Sequence, residues 1–392
     1  MNYNFDEFVE RKGTNCIKYD ANERFFGKDD ILPLWVADMD FKTPDFIMEA
    51  IRKRADHEIL GYTYRPDSCT EAILNWLKNR HGWQIDKEWL HYSPGVVPAL
   101  AFSVQVYTNP GDEVIVQPPV YFPFFSAVKN NNREMVENPL VLKDGRYCFD
   151  LDDLEKKISP KTRLLFLCNP QNPGGMSWTK EELKALGDIC LKNNIIVVSD
   201  EIHSDLTFKG KKHIPFATLN DELAQNSVTL MAPSKTFNIA GLSTSYLIIP
   251  NKELFEKYDE LMKASHVYQG NLFGNIAMEA AYSKGLDWLN QMMDYVEGNY
   301  EFMESFLKKN LPAVRPMKPD ATYLVWLDFS ELGLKDRDLN EKILETGLGL
   351  NKGVMFGKQG RGFMRINIAC PLTTLEEALK KLVSAFNNVS LG

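Results

Sequence analysis

Long apolar runs, an excess of basic residues and paired cysteines are all missing from this chain. No stretch of its 392 residues approaches the ~18 consecutive apolar residues of a membrane-spanning helix, so no membrane association is expected. Lysine and arginine number 45 against 53 aspartates and glutamates, a formal charge of −8. That balance argues against a nucleic-acid footprint. The six cysteines, at 16, 69, 148, 168, 190 and 370, form no Cys-x-x-Cys pair, and no His-Glu-x-x-His helix accompanies them. Buried reduced thiols and no metal site are the expectation. The start, Met1-Asn2-Tyr3-Asn4-Phe5-Asp6-Glu7, carries neither the basic region nor the apolar stretch of a secretory signal. With the thiols, this points to the cytoplasm. There is no internal repeat and no low-complexity segment.

What is present is an ordinary globular composition, 44% hydrophobic and 25% charged, in a chain long enough for more than one domain. Residues 1 to about 45 read as an extended arm that packs on something else. Asp45 to Ala55 has helical spacing at Phe46, Ile47, Ala50 and Ile51. The loop Gly61-Tyr62-Thr63-Tyr64 follows, its tyrosines open to a packing or a functional reading. Glu71 to Arg80 reads as a second helix. Ser93-Pro94-Gly95-Val96-Val97-Pro98 then opens a helix running to about Tyr107. The free N–H groups of Val96 and Val97 at its start make an anion site.

From Asp112, short apolar runs alternate with helical ones. Val114–Val116, Leu164–Leu167, Ile195–Val198 and Val228–Leu230 read as strands buried on both faces. Between two of them, Thr179-x-x-Glu182 is a capping box opening a helix to Lys192. The alternation implies an α/β fold with a mostly parallel sheet covered by helices. It stops near residue 285. Beyond lie a long helical stretch (286–311), strands at Tyr323–Leu327 and Phe363–Ile368, and an amphipathic helix from Thr374 to Asn387. The expected organisation is an arm (1–45) joined to a smaller α+β domain (286–392), with a large domain (46–285) between.

Four polar clusters follow the apolar runs: Pro118-Pro119-Val120-Tyr121, Asn169 to Gly175, Asp200-Glu201-Ile202-His203, and Ser234-Lys235. Parallel strands would bring these loops to one sheet edge. An aromatic, an amide, a carboxylate, a histidine and a lysine would then share a cleft. A lysine able to form a Schiff base and an acidic partner for a ring nitrogen are what a pyridoxal 5'-phosphate enzyme requires. In that reading Tyr121 stacks on the ring, Asn172 donates to its phenolic oxygen, and Val96, Val97 and Ser234 take the phosphate.

The set Asn169-x-x-Asn172-Pro173-x-Gly175, Asp200-Glu201-x-His203, Ser234-Lys235 and Phe363-x-Arg365-x-Asn367 resembles the fold-type I pyridoxal phosphate enzymes of the class I/II aminotransferase superfamily. Asp38-Met39-Asp40-Phe41, Ser199-Asp200-Glu201-Ile202-His203 and Ser234-Lys235-Thr236-Phe237-Asn238 are similar to its MalY/PatB cystathionine β-lyase branch. The resemblance spans nearly the whole chain. It implies a large domain with a mostly parallel sheet of the seven-stranded type. It makes Lys235, Asp200 and Tyr121 catalytic, with Lys235 holding the cofactor and moving the Cα proton. Asn172 and His203 lie near the phenolic oxygen, where many aminotransferases have a tyrosine in place of His203. Arg365 forks the substrate α-carboxylate, with Arg361 as its rival. Asn172 and Tyr64 also fall among the substrate-binding residues. Tyr62 would reach the phosphate of a second subunit, implying a homodimer with shared active sites, and Tyr64 is the second candidate there. One departure stands out: a serine three residues before the lysine and an arginine eight after it are replaced by Ala232 and Ser243. That loss favours the lyase branch.

The expected activity is a carbon–sulfur β-lyase cleaving cystathionine or related S-substituted cysteines to a thiol, pyruvate and ammonia. An aminotransferase using the same residues is the nearest rival. A regulatory protein on the same fold is the other, although a binding module has no need of a base.

Overall fold

The computed structural model describes residues 2–267 and 270–386. Seven short runs build its central sheet: β1 (Leu90–Ser93), β2 (Glu113–Val116), β3 (Glu134–Glu137), β4 (Thr162–Cys168), β5 (Ile196–Asp200), β6 (Ser227–Met231) and β7 (Ser245–Ile248). Their order is β1-β7-β6-β5-β4-β2-β3. The pairs from β6 through β3 are parallel, and β7 runs antiparallel to both of its neighbours. Alternation along the strands divides two cores. Leu164 and Phe166 pack with Val104, Phe124 and Tyr258 on one face. Leu165 and Leu167 pack with Leu183 and Leu186 on the other.

The helix Lys180–Lys192 begins where the capping box predicts. Thr179 Oγ1 accepts from the Glu182 amide at 3.2 Å, and Glu182 Oε2 accepts from the Thr179 amide at 2.8 Å. The expected helix Glu71–Arg80 differs. An α-helix over Asp67–Trp76 continues as a π turn over Leu77–His81, and that wider turn carries Arg80 and His81 to Asp205.

A second sheet lies nearer the C-terminus: β8 (Arg315–Pro316), β9 (Leu324–Asp328), β10 (Asn351–Lys352) and β11 (Phe363–Asn367), antiparallel in the order β8-β9-β11-β10. The helices Leu286–Asn310 and Leu372–Ser384 pack their apolar faces together on this side. The expected end of the last helix, Asn387, lies outside the described residues.

The arm is not simply extended. Short helices cover Ile17–Asp20 and Asn22–Phe26, and Leu32–Pro33 pairs in parallel with Leu348–Gly349. Buried and half-buried ion pairs decide its path: Lys18, without solvent exposure, meets Asp40 at 2.7 Å, and the partly exposed Arg11 meets Asp38 and Asp40, each at 2.7 Å.

Candidate active site

Because β2, β4, β5 and β6 run in parallel, the loops that follow them emerge at one edge, and they enclose a cavity of about 210 Å³. Tyr121, Asn172, Asp200, His203, Ser234 and Lys235 all line it. The opposite wall is the start of the helix Val96–Tyr107, with Gly95 extended ahead of it and Val96 and Val97 at the cavity. The first turn of a helix leaves its N–H groups without intrahelical acceptors, so this wall presents donors.

Burial sets the electrostatics. It pushes the Asp200 carboxyl up to about 7, against the pull of the Ile202 amide and of Lys235. It lowers the Lys235 ammonium to about 8, helped by Arg365 and opposed by Asp38 and Asp200. His203 is held down to about 3 by burial and by the positive charges of Lys235 and Arg365. Its Nδ1 is buried and has no hydrogen-bond partner. The cavity therefore holds a readily neutralised amine, a carboxyl group and a neutral imidazole with an unused nitrogen.

Arg365 stands beside this set. It is 2% exposed, on β11. Nη1 donates to Asn172 Oδ1 at 3.0 Å, and Nη2 donates to Trp35 O at 3.0 Å and to Asn351 Oδ1 at 2.6 Å. Phe356 lies under the guanidinium at 4.9 Å. These partners are all neutral, Nε has none, and burial lowers the group to about 10. A buried guanidinium with neutral partners and an open nitrogen suits an incoming carboxylate.

The segment Trp35–Phe41 works through its backbone. Trp35 O holds Arg365, and Ala37 O accepts from Lys235 Nζ at 2.7 Å and from the Tyr323 hydroxyl at 3.2 Å. Asn367 Nδ2 donates to Val36 O at 2.7 Å and to Asp38 O at 2.6 Å. The arm thus spans both sheets and fixes the lysine and the arginine against each other. Sequence reasoning missed these carbonyls, since a carbonyl carries no residue-type signature. It also missed Asn351, which lies in an uninformative stretch, and Cys168, which lines the cavity one residue before the Asn169 motif.

Of the residues singled out from sequence, Tyr62 and Tyr64 are not brought to this cavity by their own chain. They are 101% and 84% exposed. Arg361 is also exposed, in contrast to Arg365. At the two departures, Ala232 is buried beyond the end of β6, and Ser243 lines the cavity.

The family model "Aminotransferase class I and II" matches residues 29–382. The Cystathionine beta-lyase PatB of Bacillus subtilis is 48% identical over 386 residues, covering 98% of this chain and all of that protein. Two solved structures superpose over almost the full length. Cystalysin from Treponema denticola, which contains pyridoxal 5'-phosphate, has a TM-score of 0.94 and 35% identity, covering all of both chains. The pyridoxal phosphate-bound C–S lyase from Staphylococcus hominis has a TM-score of 0.93 and 34% identity, covering 99% of each. On sequence, fold and the convergence of these loops, the chain belongs to the class I and II aminotransferase family.

Proposed function

We propose that this protein is a pyridoxal 5'-phosphate-dependent carbon–sulfur β-lyase, cleaving cystathionine or related S-substituted cysteines to a thiol, pyruvate and ammonia. The observation that carries the chemistry is the half-buried Lys235 amine, 2.7 Å from Ala37 O and lowered to about 8 by desolvation, in one cavity with the Asp200 carboxyl. The choice of lyase over aminotransferase draws support from the 48% identity to a cystathionine β-lyase.

The cofactor fits the residues present. The free N–H groups at Val96 and Val97 and the Ser234 hydroxyl suit a phosphate. Tyr121 would offer a ring face, Asn172 and the unpartnered His203 Nδ1 would serve a phenolic oxygen, and Asp200 would answer a ring nitrogen. Bound there, pyridoxal phosphate supplies an electron sink for a carbanion at the substrate Cα.

The chain's own groups do the rest. Arg365, already aimed by Asn172, Asn351 and the Trp35 carbonyl, forks the substrate α-carboxylate and fixes which Cα bond faces Lys235. Neutral Lys235 Nζ takes the Cα proton. Asp200 keeps its proton or charge where a ring nitrogen demands it, because burial already holds it near neutrality. The thiolate then leaves Cβ and takes up a proton to give the thiol, and the aminoacrylate that remains adds one water to give pyruvate and ammonia. The walls, largely apolar, keep bulk water from quenching the carbanion.

We also propose a homodimer, in which the exposed Tyr62, with Tyr64 as the alternative, reaches the cofactor phosphate of the second subunit. Support comes from the exposed apolar run Ile59, Leu60, Tyr62 and Tyr64, since patches of this kind mark protein contacts. A working division into an arm with a C-terminal domain and a large domain, near residues 45 and 285, belongs to the same reading. A cytoplasmic site accords with six free cysteines. Among the described residues no helix is long and apolar enough to cross a membrane.

The deciding experiment is pyruvate release from L-cystathionine by the pyridoxal phosphate-loaded protein without added keto acid. Stoichiometric pyruvate and free thiol support β-elimination. No pyruvate, with amino transfer once a keto acid is supplied, would move the protein to the aminotransferases.

A further inference from the structure

Lys235 projects from a loop that no strand or regular helix stiffens, between β6 and the 3-10 turn Ala240–Leu242. Its direction must come from its neighbours. On one side Asn238, at φ 55°, accepts from the Met39 amide at 2.9 Å and donates to Met39 O at 3.0 Å and Phe41 O at 2.8 Å. On the other side Thr236 is fully buried, and its Oγ1 donates to Asp205 Oδ2 at 2.8 Å.

Asp205 is a hub. Its Oδ1 accepts from Trp76 Nε1 at 3.0 Å and from His81 Nε2 at 2.9 Å, and its carbonyl accepts from Arg80 Nη2 at 2.6 Å. Burial works to raise its carboxyl, but His81, Arg80 and the Thr236 hydroxyl hold it below the usual carboxylate range. Asp205 also closes the loop that begins with Asp200. The same loop is anchored a second time, by Glu201, which accepts from His213 at 2.7 Å, from the Ser199 hydroxyl at 2.8 Å and from the Phe216 amide at 2.9 Å. One buried carboxylate thus joins the lysine loop, the Asp200 loop and the π turn Leu77–His81. The π turn that ends this helix delivers two of the hub's partners, His81 and Arg80.

We propose that Thr236 and Asp205 are positioning residues for Lys235: their hydroxyl–carboxylate bond fixes the lysine loop to the Asp200 loop and so aims the amine at the substrate Cα. Thr236 itself is not among the residues lining the cavity. Without it, one oxygen of a buried carboxylate loses its donor and the loop loses its tether. Lys235 then drifts from the reacting carbon, and a displacement of about 1 Å costs up to about 100-fold in rate.

This inference rests on Lys235 being the cofactor-bearing lysine of a β-lyase. The test compares wild-type, Thr236→Val and Thr236→Ser holoenzymes by kcat and KM for β-elimination from L-cystathionine, and by the pH midpoint of the bound cofactor's visible absorbance. Thr236→Val keeps the shape and removes the donor. It is expected to lower kcat about 10- to 100-fold, with KM nearly unchanged, and to move the midpoint upward by about one unit as the lysine relaxes from its desolvated position. Thr236→Ser restores both. Wild-type behaviour of Thr236→Val in both readouts, or equal impairment of Thr236→Ser, overturns the proposal. Should Thr236→Val fail to fold, Thr236→Ala serves, with the same outcomes. A wild-type protein that shows the absorbance but releases no pyruvate defeats the lyase reading alone, and the midpoint still decides the positioning role.

Discussion

Arg365 Nη1 donates to Asn172 Oδ1 at 3.0 Å, across the gap between the smaller sheet and the loop after β4. The bond commits the amide oxygen of Asn172, a residue that lines the cavity, to the arginine. The cofactor contact proposed for Asn172 and the substrate contact proposed for Arg365 therefore share one hydrogen bond.

Arg365→Lys keeps a positive charge but loses the planar fork and the fixed donors that serve three neutral acceptors, Asn172 Oδ1, Asn351 Oδ1 and Trp35 O. The expected result is a fall of about 10- to 100-fold in kcat/KM, expressed mainly in KM for the amino acid. Steady-state kinetics on L-cystathionine check it, and an unchanged KM would leave Arg361 or another cation as the carboxylate ligand.

Lys235→Ala removes the base. Pyruvate release should fall by about 10³-fold or more, while the protein stays folded. Residual elimination near the wild-type rate would sink the assignment of Lys235.

Asp200 and Lys235 both weigh on the stability of the cofactor-free protein. A carboxyl raised from 3.8 to about 7 binds protons in the folded state that the unfolded chain has already released. Stability from this group therefore falls as pH rises from about 4 to about 7, and the penalty is complete above 7. An ammonium lowered from 10.5 to about 8 behaves in the opposite sense: its penalty is complete below about 8 and is relieved as pH climbs toward 10.5. Asp200→Asn should thus stabilise the cofactor-free protein at pH 8 by up to about 4 kcal/mol and make little difference at pH 4. Denaturant titrations at the two pH values measure this. Equal stability of variant and wild type at pH 8 would contradict it.

Lys18→Met tests the arm. Lys18 is fully buried and 2.7 Å from Asp40, which Arg11 also meets. Removing one cation leaves a buried carboxylate less compensated, at a cost of about 3 kcal/mol. Adding Asp40→Asn should recover part of the loss, so that the double variant is more stable than the two single effects predict. Strict additivity in urea unfolding would show that the pair does not couple.

Much of the fold was legible because its signals are local. Thr179 and Glu182 define a helix start within one turn, and the four central strands announce themselves as short, largely apolar runs. The edge strands β1 and β3, and β7 between β1 and β6, were not seen, since each is only four residues long. That β7 runs antiparallel is a consequence of its connection to β6, which no periodicity records. The arm's path was misjudged for a similar reason: the pairs Lys18–Asp40, Arg11–Asp38 and Arg11–Asp40 join residues 22, 27 and 29 positions apart, beyond any local pattern.

The sequence by itself determined the chemical groups of the site and the edge at which they gather. Lys235, Asp200, His203, Asn172 and Tyr121 each follow an apolar run, and parallel strands leave those loops only one side on which to emerge. The tertiary structure alone decided how these groups are charged and aimed. Burial brings Asp200 to about 7 and Lys235 to about 8, and desolvation depends on every neighbour at once. The carbonyls of Trp35 and Ala37, and the carboxylate of Asp205, act at distances along the chain that no local pattern spans, because a hydrogen bond is set by position in space and not by residue type.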